Sequence, residues 1–175
     1  MALKSLIAII TLLTASGLAY GQDLKELNHV EHDKIKIVNS LHQTYRLGNA
    51  QELQKVFGKL KPVKEKDETI DATLDTYKYN GLEVSYHTSS PEYIIVNKPA
   101  YTVFLNDAAF KVGDPISKLH RYFPLSYKNR RTESTGDGLI LIMMSSHNVE
   151  VDVDVCLTYD RKGIIQEISI TNDNS

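Results

Sequence analysis

The segment Val149-Glu-Val-Asp-Val-Asp-Val-Cys-Leu-Thr-Tyr159 constrains the fold more than any other part of the chain. Its odd positions (Val149, Val151, Val153, Val155, Leu157, Tyr159) are apolar or aromatic, and its even positions (Glu150, Asp152, Asp154, Cys156, Thr158) are mostly polar. Side chains alternate across a strand with a period of two, so one face is meant for a core and the other for solvent or a partner. β-Branched valine fits a pleated, half-buried surface and is disfavoured in a helix, which selects strand. The rest of the chain has to supply neighbouring strands and two helices to cover the apolar face.

The first residues predict the compartment. Lys4 precedes the apolar run Ser5–Ala15, and small residues follow up to Ala19-Tyr20-Gly21. A positive start, a short apolar core and a small-x-small site together predict a secretory signal peptide over 1–21. The run is shorter than the roughly 20 residues that span a bilayer, so no transmembrane anchor is expected. No Cys stands at the cleavage site, which disfavours a lipoprotein anchor. The expected mature protein is exported, periplasmic or extracellular, and soluble.

Cleavage would leave 154 of the 175 residues, enough for one compact domain. Only Lys4 is lost, so 19 basic residues face 22 acidic ones and the net charge becomes −3. That balance predicts neither nucleic-acid binding nor general adhesion to acidic membranes. The single Cys156 cannot form an internal disulfide, so stability has to come from packing, with ten Tyr and no Trp among the large side chains.

In chain order, Gln22–Asp33 is polar without an apolar period and predicts a flexible leader or short frayed helix. His29 and His32 in it are of metal-ligand type but have no supporting spacing. Lys34–Asn39 alternates as a short strand whose lysines suit a sheet edge. Asn49 is placed to cap a helix with the stripe Leu53, Val56, Phe57, and Gly58 to end it. Lys59–Thr69 predicts a charged loop. Strands follow at Leu74–Tyr79 and Leu82–His87, with Asn80-Gly81 suiting a tight hairpin turn or, alternatively, a bend in one long strand. Tyr93–Val96 and Tyr101–Asn106 predict a hairpin around Asn97-Lys98-Pro99-Ala100. Asp114-Pro115 opens a second helix with Ile116, Leu119 and Phe123 inward and Pro124 as its stop. A basic loop (Lys128, Arg130, Arg131) leads to Leu139–Met144, apolar on both faces as in a central, doubly covered strand. The long strand, the turn Asp160–Gly163 and the strand Ile164–Thr171 complete the chain.

The second half repeats the plan of the first. A shift of 66 residues superposes Leu53 on Leu119, Phe57 on Phe123, Lys64 on Arg130 and Asn106-Asp107 on Asn172-Asp173. Gly48 and Gly113 match at a shift of 65. The expected organisation is a 22–33 leader, a first helix-sheet unit over 34–107 and a second over 108–175, within one compact α+β domain. Leu47-Gly48 through Phe57-Gly58, Tyr79-Asn-Gly-Leu82-Glu-Val84, and Val112-Gly113 through Phe123-Pro124 carry a resemblance. A chain with these segments resembles the β-lactamase-inhibitor-protein-like fold, and is similar to small outer-membrane assembly lipoproteins of the SmpA/OmlA type. The resemblance spans roughly 45–171. It implies tandem helix-plus-antiparallel-sheet units, two helices on a curved meander sheet, and a scaffold that binds proteins. The chain departs from both patterns, lacking the acylated N-terminal Cys of the one and the disulfides of the other.

No nucleophile elbow, S-x-x-K, H-E-x-x-H, paired-Cys or phosphate-loop motif occurs. His42, His87, His120 and His147 are scattered. No cofactor and no metal are expected. Glu150, Asp152 and Asp154 form an acidic row, but neighbours on one face of a strand stand about 7 Å apart, too far for tight chelation of one ion by the row alone. The row reads as a solvated face that limits aggregation or as a surface for a basic partner. The basic loops read as solvated, or as a salt-sensitive anchor for an acidic polymer or membrane surface.

The expectation is therefore an exported, non-enzymatic protein-binding or envelope-associated module whose partner is another exported or envelope protein. Its contact surface is the polar sheet face: Glu83, Ser85, His87, Glu150, Asp152, Asp154 and Thr158. The alternatives are a small hydrolase or transferase with a site converging on His120 or His147, and an inhibitor or immunity-type protein blocking an enzyme through the aromatic anchors Tyr86, Tyr93 and Tyr101.

Overall fold

A computed structural model describes residues 27–146 and 149–172. The strands are β1 (His29–Glu31), β2 (Lys36–Asn39), β3 (Thr44–Tyr45), β4 (Val63–Asp67), β5 (Ala72–Tyr79), β6 (Leu82–Tyr86), β7 (Pro91–Val96), β8 (Tyr101–Leu105), β9 (Ala108–Phe110), β10 (Arg131–Thr132), β11 (Gly138–Ser146), β12 (Val149–Tyr159) and β13 (Ile165–Asn172). The helices α1 (Ala50–Phe57), α2 (Leu119–Tyr122) and α3 (Pro124–Lys128) are short, and single tight turns of helix cover His32–Lys34 and Ile116–Lys118. The class is mixed α+β with strand predominating.

Nine strands form a curved open sheet in the order β1-β11-β12-β13-β7-β6-β5-β4, with β10 pairing the same edge of β11 as β1 does. A second sheet of four strands runs β3-β2-β8-β9. Only β1 on β11 is parallel among the described pairings.

From Asp154 to Tyr159 the period-two pattern of β12 places its residues as the sequence predicts. Val155, Leu157 and Tyr159 are buried, beside Ile140, Ile142 and Met144 of β11, Ile168 and Ile170 of β13, Ile94 and Val96 of β7, and Leu82 and Val84 of β6. Against that face pack Ile37, Tyr45, Val103 and Phe110 of the second sheet and Leu53, Leu119 and Phe123 of the helical segments, in one continuous cluster. Each fully buried aliphatic side chain stabilises by about 1.5–3 kcal/mol, before the entropy of ordering it is charged against it. Every described helix contributes to the same side of the large sheet, through Leu53, Leu119 and the partly buried Tyr127.

Local chemistry explains α1 well. Asn49 Oδ1 accepts from the amides of Gln51 (3.0 Å) and Glu52 (3.1 Å), and Gly58 ends the helix at φ +98°. Tyr79 pairs with Leu82 across Asn80-Gly81, with Gly81 at φ +96°, so the hairpin reading holds and the continuous-strand reading does not.

Several expectations are corrected. Residues 29–31 of the expected leader are a strand on the edge of β11, with Val30 buried, because tertiary pairing supplies what local sequence does not. β2 is paired on both sides, so it is no edge, and Lys36 extends its ammonium over the Phe104 ring at 4.6 Å. Part of the expected charged loop is β4, whose lysines and acids pair across to β5 (Lys64–Asp75 2.6 Å, Glu65–Lys78 2.7 Å). β7 and β8 form no hairpin: β7 pairs with β6 and β13, β8 with β2 and β9, and residues 97–100 carry the chain from one sheet to the other. The helix carrying Leu119 ends before Pro124 as expected, with Phe123 out of helical conformation at φ −133°, and Pro124 also starts α3 at its first turn. Asp114 is not a helix cap; its carboxylate accepts from the Lys111 amide and pairs with Lys118 at 2.8 Å. β11 is next to the edge rather than central, and only its Ile140, Ile142 and Met144 side is packed into the core cluster.

Candidate functional site

The face of the nine-stranded sheet opposite the core is built by strand register. One row crosses six strands as Leu141, Cys156, Ser169, Ile95, Glu83 and Lys78. A second row runs Met143, Asp154, Thr171, Tyr93, Ser85, Thr76 and Val63. A third holds Leu139, Thr158 and Glu167. Directly opposed residues share a face, so side chains far apart in sequence are gathered here.

Of the residues expected to form the contact surface, Glu83, Ser85, Asp154 and Thr158 do lie on this face. Ser85 is buried, its hydroxyl 3.0 Å from Thr76 Oγ1, so it shapes the floor and offers little to a partner. His87 falls beyond the end of β6, after a register shift between Ser85 and Tyr86, and is exposed apart from the rows. Glu150 and Asp152 continue the backbone of β12, and their side chains lie outside the described set, as do His147 and residues 1–21, where a signal peptide is expected.

Glu167 joins this face although it is not among the residues expected there. The alternation Glu167-Ile168-Ser169-Ile170-Thr171 signals its side of β13, but a register shift between Thr158 and Tyr159 breaks the phase and buries Ile165 on the core side. Glu167, Asp154 and Glu83 thus come from three strands onto one half-buried surface. Burial first, then the charge of Glu83, hold the Glu167 carboxyl above its ordinary range. Burial pushes the Cys156 thiol up to about 12, assisted by the charges of Asp154 and Glu167 and opposed by a hydrogen bond with Ser169 and the charge of Arg131. Such a thiol is not a nucleophile at neutral pH. Lys78 bridges Glu65 at 2.7 Å and Glu83 at 3.5 Å, placing one cation at the margin.

The aromatic anchors divide. Tyr86 and Tyr101 are buried in the core, whereas Tyr93 stands half-buried on the free face. His120 is exposed and meets the edge of Tyr127, ring centres 5.4 Å apart. Among the described residues no group of three or more His, Cys, Asp or Glu is gathered to hold a metal ion, and no helix is long and apolar enough to cross a membrane. Comparison with protein-family models, curated proteins and solved structures yields no match for this chain.

Proposed function

We propose that the chain is an exported, non-catalytic binding module that takes a protein partner on the free face of its nine-stranded sheet. One observation carries the reading: Glu83, Asp154 and Glu167 share one half-buried sheet face with the apolar side chains of Leu141 on one side and Ile95 and Tyr93 on the other. Apolar side chains interspersed with unbalanced acids on a solvent-facing sheet suit a protein interface, and the sign selects a partner presenting Lys or Arg beside apolar groups.

The pairing pattern supports the resemblance to tandem inhibitor-like scaffolds. β2-β3-α1-β4-β5-β6-β7 and β8-β9-α2/α3-β10-β11-β12-β13 follow the same element order. Like strands meet in both sheets, β2 beside β8 and β7 beside β13. This reading sets the unit boundary within 97–100. It pairs Tyr45 and Phe57 with Phe110 and Phe123, each couple in ring contact (6.2 and 5.9 Å between centres). The match of Asn106-Asp107 with Asn172-Asp173 then has no structural counterpart, since Asn106 lies between β8 and β9 and Asn172 ends β13.

The test places a photo-crosslinking residue at Ile95 and, as a control, at Phe104 on the second sheet, in the native exporting host. A discrete adduct from Ile95 alone, abolished by Glu83→Lys with Asp154→Lys while the thermal melt is kept, is the expected result. Equal adducts from both positions, or capture indifferent to the charge reversals, would overturn it.

A further inference from the structure

We infer that one end of the molecule, separate from the free sheet face, docks on an anionic lipid surface. Four connections meet there. The β2–β3 turn (40–43) lies beside the 97–100 crossover because Asn39 pairs with Tyr101. Lys98 reaches the Asn80 side chain, and the Asn97 amide donates to the Gly81 carbonyl at 3.1 Å, adding the β5–β6 turn. Phe57 stacks edge-on with Tyr79 and Tyr101, and the Tyr79 hydroxyl donates to the Gly58 carbonyl at 2.8 Å, bringing in segment 58–62.

The composition of this end differs from that of the chain. Segments 40–43, 58–62, 80–81 and 97–100 hold Lys59, Lys61 and Lys98 and not one Asp or Glu, in a protein of net charge −2. All three lysines are exposed. Between them stand apolar side chains in the open: Leu41 at 75% exposure, Leu60 at 39%, with Pro99 and Ala100 exposed as well.

Leu41 is held there by structure. Asn39 Oδ1 accepts from the amides of Leu41 and Gln43 (both 3.0 Å), Asn39 Nδ2 donates to Gln43 Oε1 at 2.7 Å, and His42 takes a positive φ of 60°. A turn fixed by three side-chain bonds presents a leucine to solvent at little further entropic cost on docking. Lysines attract an anionic leaflet, and the exposed aliphatics gain by entering its acyl boundary. An acidic polymer would satisfy the lysines but leave Leu41 and Leu60 in water, so the combination selects lipid.

Co-sedimentation of the full chain with vesicles tests this, using phosphatidylcholine alone and phosphatidylcholine with about a third phosphatidylglycerol. The apolar run Ser5–Ala15 is common to every variant, so differences between variants report on the loop end. Lys59→Gln with Lys61→Gln and Lys98→Gln should weaken binding to anionic vesicles about a hundredfold, from roughly fivefold per lysine. Leu41→Ser should weaken it several-fold, and the control Lys64→Gln with Lys66→Gln on β4 should not reach either loss. Thermal melts of all variants should match the parent, since these side chains are exposed. A triple variant that binds like the parent, or equal binding to both vesicle types, would overturn the inference. Binding to a soluble polyglutamate with none to vesicles would overturn it too, and assign the end to an acidic protein.

Discussion

The Tyr45 hydroxyl lies 2.7 Å from that of Tyr86, tying β3 of the small sheet to β6 of the large one across the buried layer between them. Both oxygens also reach the Gly48 carbonyl, at 2.6 and 3.1 Å, just before the Asn49 cap of α1. The three groups share two protons, so one hydroxyl donates to the carbonyl and the other to its neighbour or to the same carbonyl. Tyr86→Phe should therefore destabilise by about 1–2 kcal/mol, the range for losing a buried hydrogen bond while leaving its partner short of a donor. Denaturant unfolding monitored by circular dichroism checks this, and an unchanged midpoint would show that the bond contributes nothing net.

The same tyrosines set the alkaline limit of the fold. Burial, as the largest cause, holds Tyr45, Tyr86 and Tyr101 above the ordinary tyrosine range and pushes Tyr79 up to about 12. The unfolded chain releases these protons near 10, so between 10 and the native values the folded state binds more protons. Stability is full below pH 10 and falls as pH rises through that window. In an alkaline titration the share of tyrosinate absorbance owed to these four should appear together with loss of structure, not ahead of it, whereas exposed tyrosines such as Tyr122 are not bound by that limit.

Much of this layering is legible in the sequence, because β12 and β13 face a core on one side only and their alternation is long. The placement of β2, β7 and β8 is not. Lys36 looks like an edge residue until Phe104, 68 positions on, supplies a ring to cover its ammonium. β7 and β8 look like a hairpin because four turn-forming residues join two strands, and nothing local states that the strands belong to different sheets. For the free face, Glu83 and Asp154 were visible from alternation. Glu167 is legible from the alternation Glu167–Thr171, but the register shift at Thr158/Tyr159, which puts Ile165 on the core side, is encoded by no local pattern.

Alternation along β12 makes a sharp contrast between neighbours. Leu157 is fully buried in the cluster, and Cys156 points to the half-buried opposite face. Leu157→Ala should cost about 2–5 kcal/mol through lost transfer energy and the cavity left behind. Cys156→Ser should cost less than about 1.5 kcal/mol, since Ser169 can still pair with the new hydroxyl. Thermal unfolding of both variants decides the point, and similar losses would mean the free face is packed as tightly as the core.

Glu167 should be a site where native charge works against the fold. Its carboxyl is held above the ordinary value by burial and by Glu83, so the native state binds its proton more tightly than the unfolded chain does. Its penalty is absent at pH below the ordinary value of 4.5 and grows as pH rises through the raised native value. Glu167→Gln should accordingly raise the melting temperature at pH 7.5 and leave it unchanged near pH 4. A stabilisation equal at both pH values would trace the effect to packing and not to charge.

Cys156 reports on the same electrostatics without any partner. With its thiol pushed up to about 12, the reactive thiolate at pH 8 should be roughly three orders of magnitude scarcer than in an exposed cysteine. Alkylation by iodoacetamide under native conditions should be correspondingly slow and should accelerate on unfolding. Because Asp154 and Glu167 both raise the thiol, Asp154→Asn with Glu167→Gln should speed native alkylation, while Thr158→Val, on the same face but uncharged, should not. If the double variant reacted at the parent rate, the carboxylates would not share a field across the face. A basic partner would then find no shared acidic field on this face to bind.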